Sequence, residues 1–170
     1  LDLLGDFGGW RSIASEFFDS TNTFMPIISK ARLYGHYLNP LIQPRVDVAL
    51  LVLCMRLVAI IPPPGMVMPA VPEYLAAKAL YHQIETAEGF SLLVLQSGVL
   101  LALYEFGHAI YPAAYLSIGA CARYGTSAGL DGTGMHQMKP PFDMMEEEER
   151  KRVWWAVLIL DQLVATISNS

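Results

Sequence analysis

The sequence predicts an all-α fold, a single bundle of about seven helices packed as antiparallel pairs. Three observations predict it. Apolar residues recur at helical spacing along most of the chain, and no stretch sustains the alternation of a half-buried strand. Pro and Gly punctuate the helical stretches, most densely at Pro62, Pro63, Pro64 and Gly65. From Asp143 to Asp161, DMMEEEERKRVWWAVLILD, a block of charge turns abruptly into tryptophan and aliphatics, as in a helix that starts in water and ends in a core. There is no repeat of fixed period and no heptad seam long enough for a coiled coil.

The elements follow in order. Residues 1–11 are glycine-rich and aperiodic, which marks them as a flexible start or linker, so the domain is expected to occupy 12–170. A short helix is expected over Ser12 to Asp19, and Pro26 opens a second that ends near Tyr37, ahead of Asn39-Pro40. A third follows Pro44 and runs to Ile61. Its charges, Asp47 and Arg56, fall on opposite faces, so it is expected to be surrounded by other helices. Pro72 starts a fourth helix that Gly89 closes, and a fifth runs from Ser91 to Phe106 with Gly107 as its stop. In the sixth, Ile110 to Ala128, the small residues Ala113, Ser117 and Ala120 share a face that lets a neighbouring backbone come close. A polar Gly/Pro loop, Asp131 to Pro141, leads to the seventh helix. Asp143 and Glu146 read as a capping box that fixes its start, and Glu146, Glu147 and Glu148 each stand four residues before Arg150, Lys151 and Arg152. Its second half is expected to pack inward, Trp154 and Leu158 on one face and Trp155 and Ile159 on the next. Arg150 is spaced to reach over the Trp154 ring.

A chain of 170 residues suffices for one domain with a substantial core. The composition is unusually apolar, 54% hydrophobic against 16% charged, with a mean hydropathy of +0.37. A helical integral membrane protein is therefore the first rival reading. Its candidate spans, Val48 to Ile61 and Leu92 to Leu103, fall short of the roughly 18–20 apolar residues that cross a bilayer, and they contain Arg56, Gln96 and Ser97. Both read instead as central helices of a soluble bundle. The net charge of −5 and pI of about 5.3 leave no basic stripe to displace counterions from phosphates, so these residues are not expected to grip DNA themselves. Cys54 and Cys121, far apart in apolar helical text, suit reduced buried thiols of a cytosolic or nuclear protein.

Two stretches carry a family resemblance. ERKRVWWAVLILDQ, Glu149 to Gln162, resembles the signature of the fungal-specific transcription factor domain, the middle homology region of binuclear zinc-cluster regulators. There, basic residues precede a Trp-Trp pair and an aspartate follows about two turns later. YLSIGACARYGTSAGLD, Tyr115 to Asp131, is similar to that family's small-residue helix ending in a Gly-Leu step, and FFDSTNTFMPIISKARL, Phe17 to Leu33, to its opening helix-Pro-helix. The family-motif positions are Arg150, Arg152, Trp154, Trp155, Asp161, Gly129 and Leu130. Gln162 departs from the pattern, which usually places an arginine after the aspartate.

The resemblance implies a nuclear regulatory domain of a zinc-cluster transcription factor that controls RNA polymerase II transcription, truncated at both ends of its parent. It implies no cofactor in these residues. Zinc and sequence-specific DNA contact would belong to a separate N-terminal module in which six cysteines hold two zinc ions. The partners it brings into view are a second copy of the parent, transcriptional co-regulators and a small apolar effector, with no membrane. A small-molecule-binding helical module unrelated to transcription is the other rival.

No catalytic or metal site is expected. Gly125-Thr126-Ser127-Ala128-Gly129 satisfies the G-x-S-x-G pattern, but that motif needs a strand before its serine and a helix after it, whereas here a helix precedes and a loop follows. His36, His82, His108 and His136 are scattered, and His82 with Glu85 supplies only one i, i+3 pair where zinc needs about four ligands. Asp161 is placed to cap a neighbouring helix or hold a basic group. Tyr74, Tyr81, Tyr104, Tyr111, Tyr115 and Tyr124 recur with Met and Leu and are expected mostly to fill the core, leaving room for an apolar effector cavity among them.

Overall fold

The computed structural model describes residues 6–41, 43, 45–60, 71–85, 90–132 and 140–168. Among them the fold is all-α, as the sequence predicts. The helices are α1 (Phe7–Asp19), a short α2 (Lys30–Arg32) that continues as a π-helical turn (Leu33–Tyr37), α3 (Val46–Ala59), α4 (Pro72–Glu85), α5 (Leu92–Gly107), α6 (Tyr111–Ser127) and α7 (Met144–Ser168). The expected stops at Pro62 to Gly65 and at Gly89, the opener Pro44 and the histidine His136 lie outside the described residues.

Two helices form the centre. In α3 every residue from Val48 to Met55 is buried, and α5 is buried from Leu93 to Ala102. Such helices present no polar face because neighbours cover them all round. Here α3 lies against α1, α4 and α5, while α5 also meets α4, α6 and α7. None of the described helices is long and apolar enough to cross a membrane. Tyr74, Tyr81 and Tyr104 join the core, whereas Tyr111 and Tyr115 face solvent.

Three sequence expectations are corrected. The first helix begins at Phe7, not Ser12: Asp6 caps it by accepting from the Gly9 N–H at 3.0 Å, and the turn so gained carries Trp10 into the core at 5% exposure. Aperiodic glycine-rich text concealed it because its two aromatics, Phe7 and Trp10, make no sustained pattern. Second, α5 ends at Gly107 as expected, but that glycine is not the residue that turns left-handed. The left-handed terminal residue is Ala109, with φ of 58°, and the N–H groups of Ala109 and Ile110 bond back to the carbonyls of Phe106 at 3.2 Å and Glu105 at 2.8 Å. Third, the buried line of α6 is Ala114, Ser117, Ile118, Cys121 and Gly125, so its close-approach face is turned from the one expected.

Candidate functional site

The seventh helix gathers the residues that the sequence singles out. Its start is capped as expected on one side: Asp143 Oδ1 accepts the Glu146 N–H at 2.7 Å. The reciprocal arm reaches one residue further back, with the Phe142 N–H donating to Glu146 Oε2 at 3.2 Å. All three i, i+4 ion pairs form, Glu146–Arg150 at 2.6 Å, Glu147–Lys151 at 2.6 Å and Glu148–Arg152 at 2.9 Å. The latter two are exposed and stabilise little.

The fourth glutamate of the run behaves differently. Glu149 lies on one helical line with Val153, Ala156, Leu160 and Val164, all buried, and is itself only 5% exposed. That spacing is legible in the sequence, but the run of four glutamates masks it. Its carboxylate pairs with Arg32, also 5% exposed, and accepts the Ser29 N–H at 2.5 Å. Arg32 donates further to Glu146 Oε2 at 3.1 Å and Tyr37 Oη at 3.3 Å. From α5 comes Gln96, fully buried, whose Nε2 donates to the Ile27 carbonyl at 2.7 Å and to Glu149 Oε1 at 3.5 Å. Four segments are thus clamped together: the stretch before α2, the α2 and π-helical turn, α5 and the start of α7. Burial pushes the Glu149 carboxyl above the usual carboxylate range, against the pull of the Ser29 N–H and the Arg32 guanidinium. Burial also works against the Arg32 cation, but Glu149 and Glu146 outweigh it and hold the guanidinium charged. Arg32 Nε and Gln96 Oε1 are shielded from solvent with no hydrogen-bond partner among the described residues.

The other motif residues meet at the far end of α6. Gly129, with φ of 80°, ends that helix in a Schellman turn: its N–H bonds the Thr126 carbonyl at 2.9 Å and the Leu130 N–H bonds that of Gly125 at 3.0 Å. Leu130 folds back over Gly125, and the Trp154 ring rests on the same glycine. A Cβ there would stand 2.7 Å from Trp154 Cζ3 and 3.5 Å from Leu130 Cδ1. Gly125, Gly129, Leu130 and Trp154 therefore form one joint between α6 and α7.

Trp155 is not in the core. It is 65% exposed, with Ile159 at 56% and Leu163 at 48% beside it, because Val153, Ala156, Val157 and Leu160 already fill the inward face. Leu158, expected with Trp154, is also partly exposed, at 38%. Arg152 serves an exposed ion pair, whereas the Arg150–Glu146 pair is largely buried. The Asp161 side chain is half-buried, and among the described residues no basic group pairs with it.

Two further polar groups have structural roles, although Glu105 Oε2 is buried with no hydrogen-bond partner among the described residues. Glu105, fully buried on α5, accepts from Tyr74 Oη at 2.7 Å and pairs with Lys78 at 2.9 Å, and Lys78 also donates to Ser117 Oγ at 2.8 Å. The sequence reading missed this strut between α4, α5 and α6. Ser127, exposed at the end of α6, donates its hydroxyl to the Tyr124 carbonyl at 2.8 Å, as a helix-terminal serine does. His82 and Glu85 meet at 2.9 Å as their spacing allows, but no group of three metal-ligating side chains occurs among the described residues.

Residues 14–169 match the family described as the fungal specific transcription factor domain. The chain is 42% identical over 144 residues to Transcription factor BOA15 of Botryotinia fuckeliana (strain B05.10), a match covering 81% of this chain and 76% of that protein. No solved structure matches. With Gly129, Leu130 and Trp154 meeting at the α6–α7 joint and the match running over nearly the whole chain, the protein belongs to the fungal specific transcription factor domain family and has a role in regulating transcription.

Proposed function

We propose that this domain sets the activity of a nuclear zinc-cluster transcription factor by making or withholding contacts through α7. Two residue sets define the helix. The clamp of Arg32, Glu146, Glu149 and Gln96 and the Gly125–Trp154 joint hold its inward side. Its outward side presents Trp155, Ile159 and Leu163 to solvent. A helix apolar on both sides is suited to burial on both, so the outward face is read as the contact surface for a transcriptional co-regulator or a second copy of the parent. That face is the observation that carries the proposal. Zinc and sequence-specific DNA contact are assigned, by family resemblance, to a separate N-terminal module, and the net charge of −5 does not favour a grip on phosphates by this chain.

The test separates contact from folding. In the full-length factor, Trp155→Ser together with Ile159→Ser is expected to leave abundance and helical content unchanged while altering reporter output several-fold. Wild-type output from a normally abundant double variant would remove the proposal's support.

A further inference from the structure

α7 is anchored at two places, by the clamp at Glu149 and by the Trp154 ring resting on Gly125, and a second route joins those places through other elements. It begins at Arg32, which donates to Tyr37 Oη at 3.3 Å and holds its Cζ 5.9 Å from the centre of that ring. Arg45, just before α3, also brings its Cζ to 5.9 Å from the Tyr37 ring. One aromatic ring thus seats two guanidiniums. Arg45 then grips Asp47 with its fork, Nε to Oδ1 at 3.0 Å and a terminal nitrogen to Oδ2 at 2.5 Å. Asp47 Oδ2 accepts the Ser91 hydroxyl at 2.8 Å, and the Ser91 N–H donates to Tyr124 Oη at 3.0 Å. Tyr124 stacks on Phe90, ring centres 5.1 Å apart, and immediately precedes Gly125. Two of these residues forgo a local duty. Arg45 stands at the N-cap of α3 and Ser91 at that of α5, yet neither side chain caps its helix. A serine there ordinarily accepts an N–H of the first turn, whereas the Ser91 hydroxyl is spent on Asp47 of another helix.

We propose that the chain from Arg32 through Tyr37, Arg45, Asp47 and Ser91 to Tyr124 is a coupling device that makes the clamp and the Gly125–Trp154 joint open and close as one unit. Each link is weak, but every residue in the chain is shared by two of them. Opening the clamp moves Arg32, which takes part of the Tyr37 seat from Arg45 and so loosens the hold on Asp47 and Ser91. α7 then has a held and a released arrangement, and an influence that favours release at one anchorage favours it at the other. As regulation of the output face the inference rests on α7 being that face, whereas the coupling of the two anchorages does not.

The test reads amide hydrogen exchange residue by residue in the folded chain. The Ser29 N–H, bonded to Glu149, reports opening of the clamp, and the Leu130 N–H, bonded to the Gly125 carbonyl, reports opening of the joint. Val52, fully buried in the middle of α3, reports global unfolding. Ser91→Ala touches neither anchorage and removes no cap, yet it is expected to speed exchange at both Ser29 and Leu130 by about fivefold relative to Val52, the worth of one hydrogen bond. In a Tyr37→Leu background the same substitution is expected to leave the Ser29 rate unchanged, because the chain is already cut. Arg45→Gln, at a side chain 58% exposed and therefore tolerant of replacement, cuts the chain on the other side of the ring and is expected to abolish the response in the same way. No acceleration at Ser29, acceleration no greater than at Val52, or a response that persists in both backgrounds overturns the proposal. Such a failure is distinguishable from failure of the α7 reading, which the Trp155 and Ile159 reporter experiment decides without reference to exchange.

Discussion

Arg32 is the side chain on which the α7 clamp turns, and what it does follows from burial. Its guanidinium, at 5% exposure, meets one carboxylate equally buried and another from the same helix face. Two charges taken out of water are tolerated only because each compensates the other, so removing one partner alone is the damaging change. Arg32→Met is expected to destabilise the domain by about 3–5 kcal/mol, seen as a lower urea midpoint at an unchanged slope. Arg32→Met with Glu149→Met is expected to recover most of that loss, leaving about 1 kcal/mol for the Ser29 N–H deprived of its acceptor. A double variant destabilised by the sum of the losses of Arg32→Met and Glu149→Met made singly would show that the pair is not coupled. Little of this was legible beforehand. The two residues are 117 positions apart, and a charged residue inside a charged run carries no local mark of the partner it finds across the fold. Only the spacing of Glu149 to Val153, Ala156 and Leu160 pointed inward.

At the scale of elements, what was legible was local. The capping residue of α7 and its three ion pairs depend on contacts three or four positions apart, and the sequence contains both ends of each. The Gly-Leu step at the end of α6 is legible for the same reason, since a Schellman turn closes within six residues. The orientation of α7 was not. Apolar side chains cover nearly its whole circumference from Val153 onward, so periodicity does not distinguish the face of Trp154 from that of Trp155. Helix ends offer a sharp check on these assignments. Gly125→Ala places a Cβ 2.7 Å from the Trp154 ring and is expected to cost about 1–3 kcal/mol by overpacking, despite alanine's better helix propensity. Ala109→Gly acts in the opposite sense. It relieves a left-handed residue with φ of 58° at the end of α5 and is expected to stabilise by about 1 kcal/mol. Thermal melts of the two variants should shift in opposite directions, and a stabilised Gly125→Ala would mean that Trp154 does not rest on that glycine.

Across the whole molecule, helix packing decides whether these parts act together. One apolar core runs from Trp10 on α1 through α3 and α5 to Val164 on α7, and no described helix keeps a core of its own. This continuity was legible in the apolar runs of α3 and α5, though not its reach into the glycine-rich opening. Cys54 on α3 and Cys121 on α6 report on it from two helices packed against α5. Both thiols are fully buried, and burial pushes Cys121 up to about 12 and Cys54 strongly upward as well. At pH 8 neither forms appreciable thiolate in the folded protein, while in the unfolded chain both return towards the ordinary value near 8.5 and react. A disulfide reagent such as dithiobis-nitrobenzoate is therefore expected to label neither thiol in the native state. Under mild urea the two should be labelled at one common rate, equal to the rate at which helical circular dichroism is lost. A cooperative core requires that equality, because exposing either sulfur means separating α3 or α6 from α5. Labelling of Cys121 ahead of Cys54, with helicity intact, would instead identify α6 and the α7 joint as a unit that opens by itself. The coupling from clamp to output face would then have to run within α7 alone.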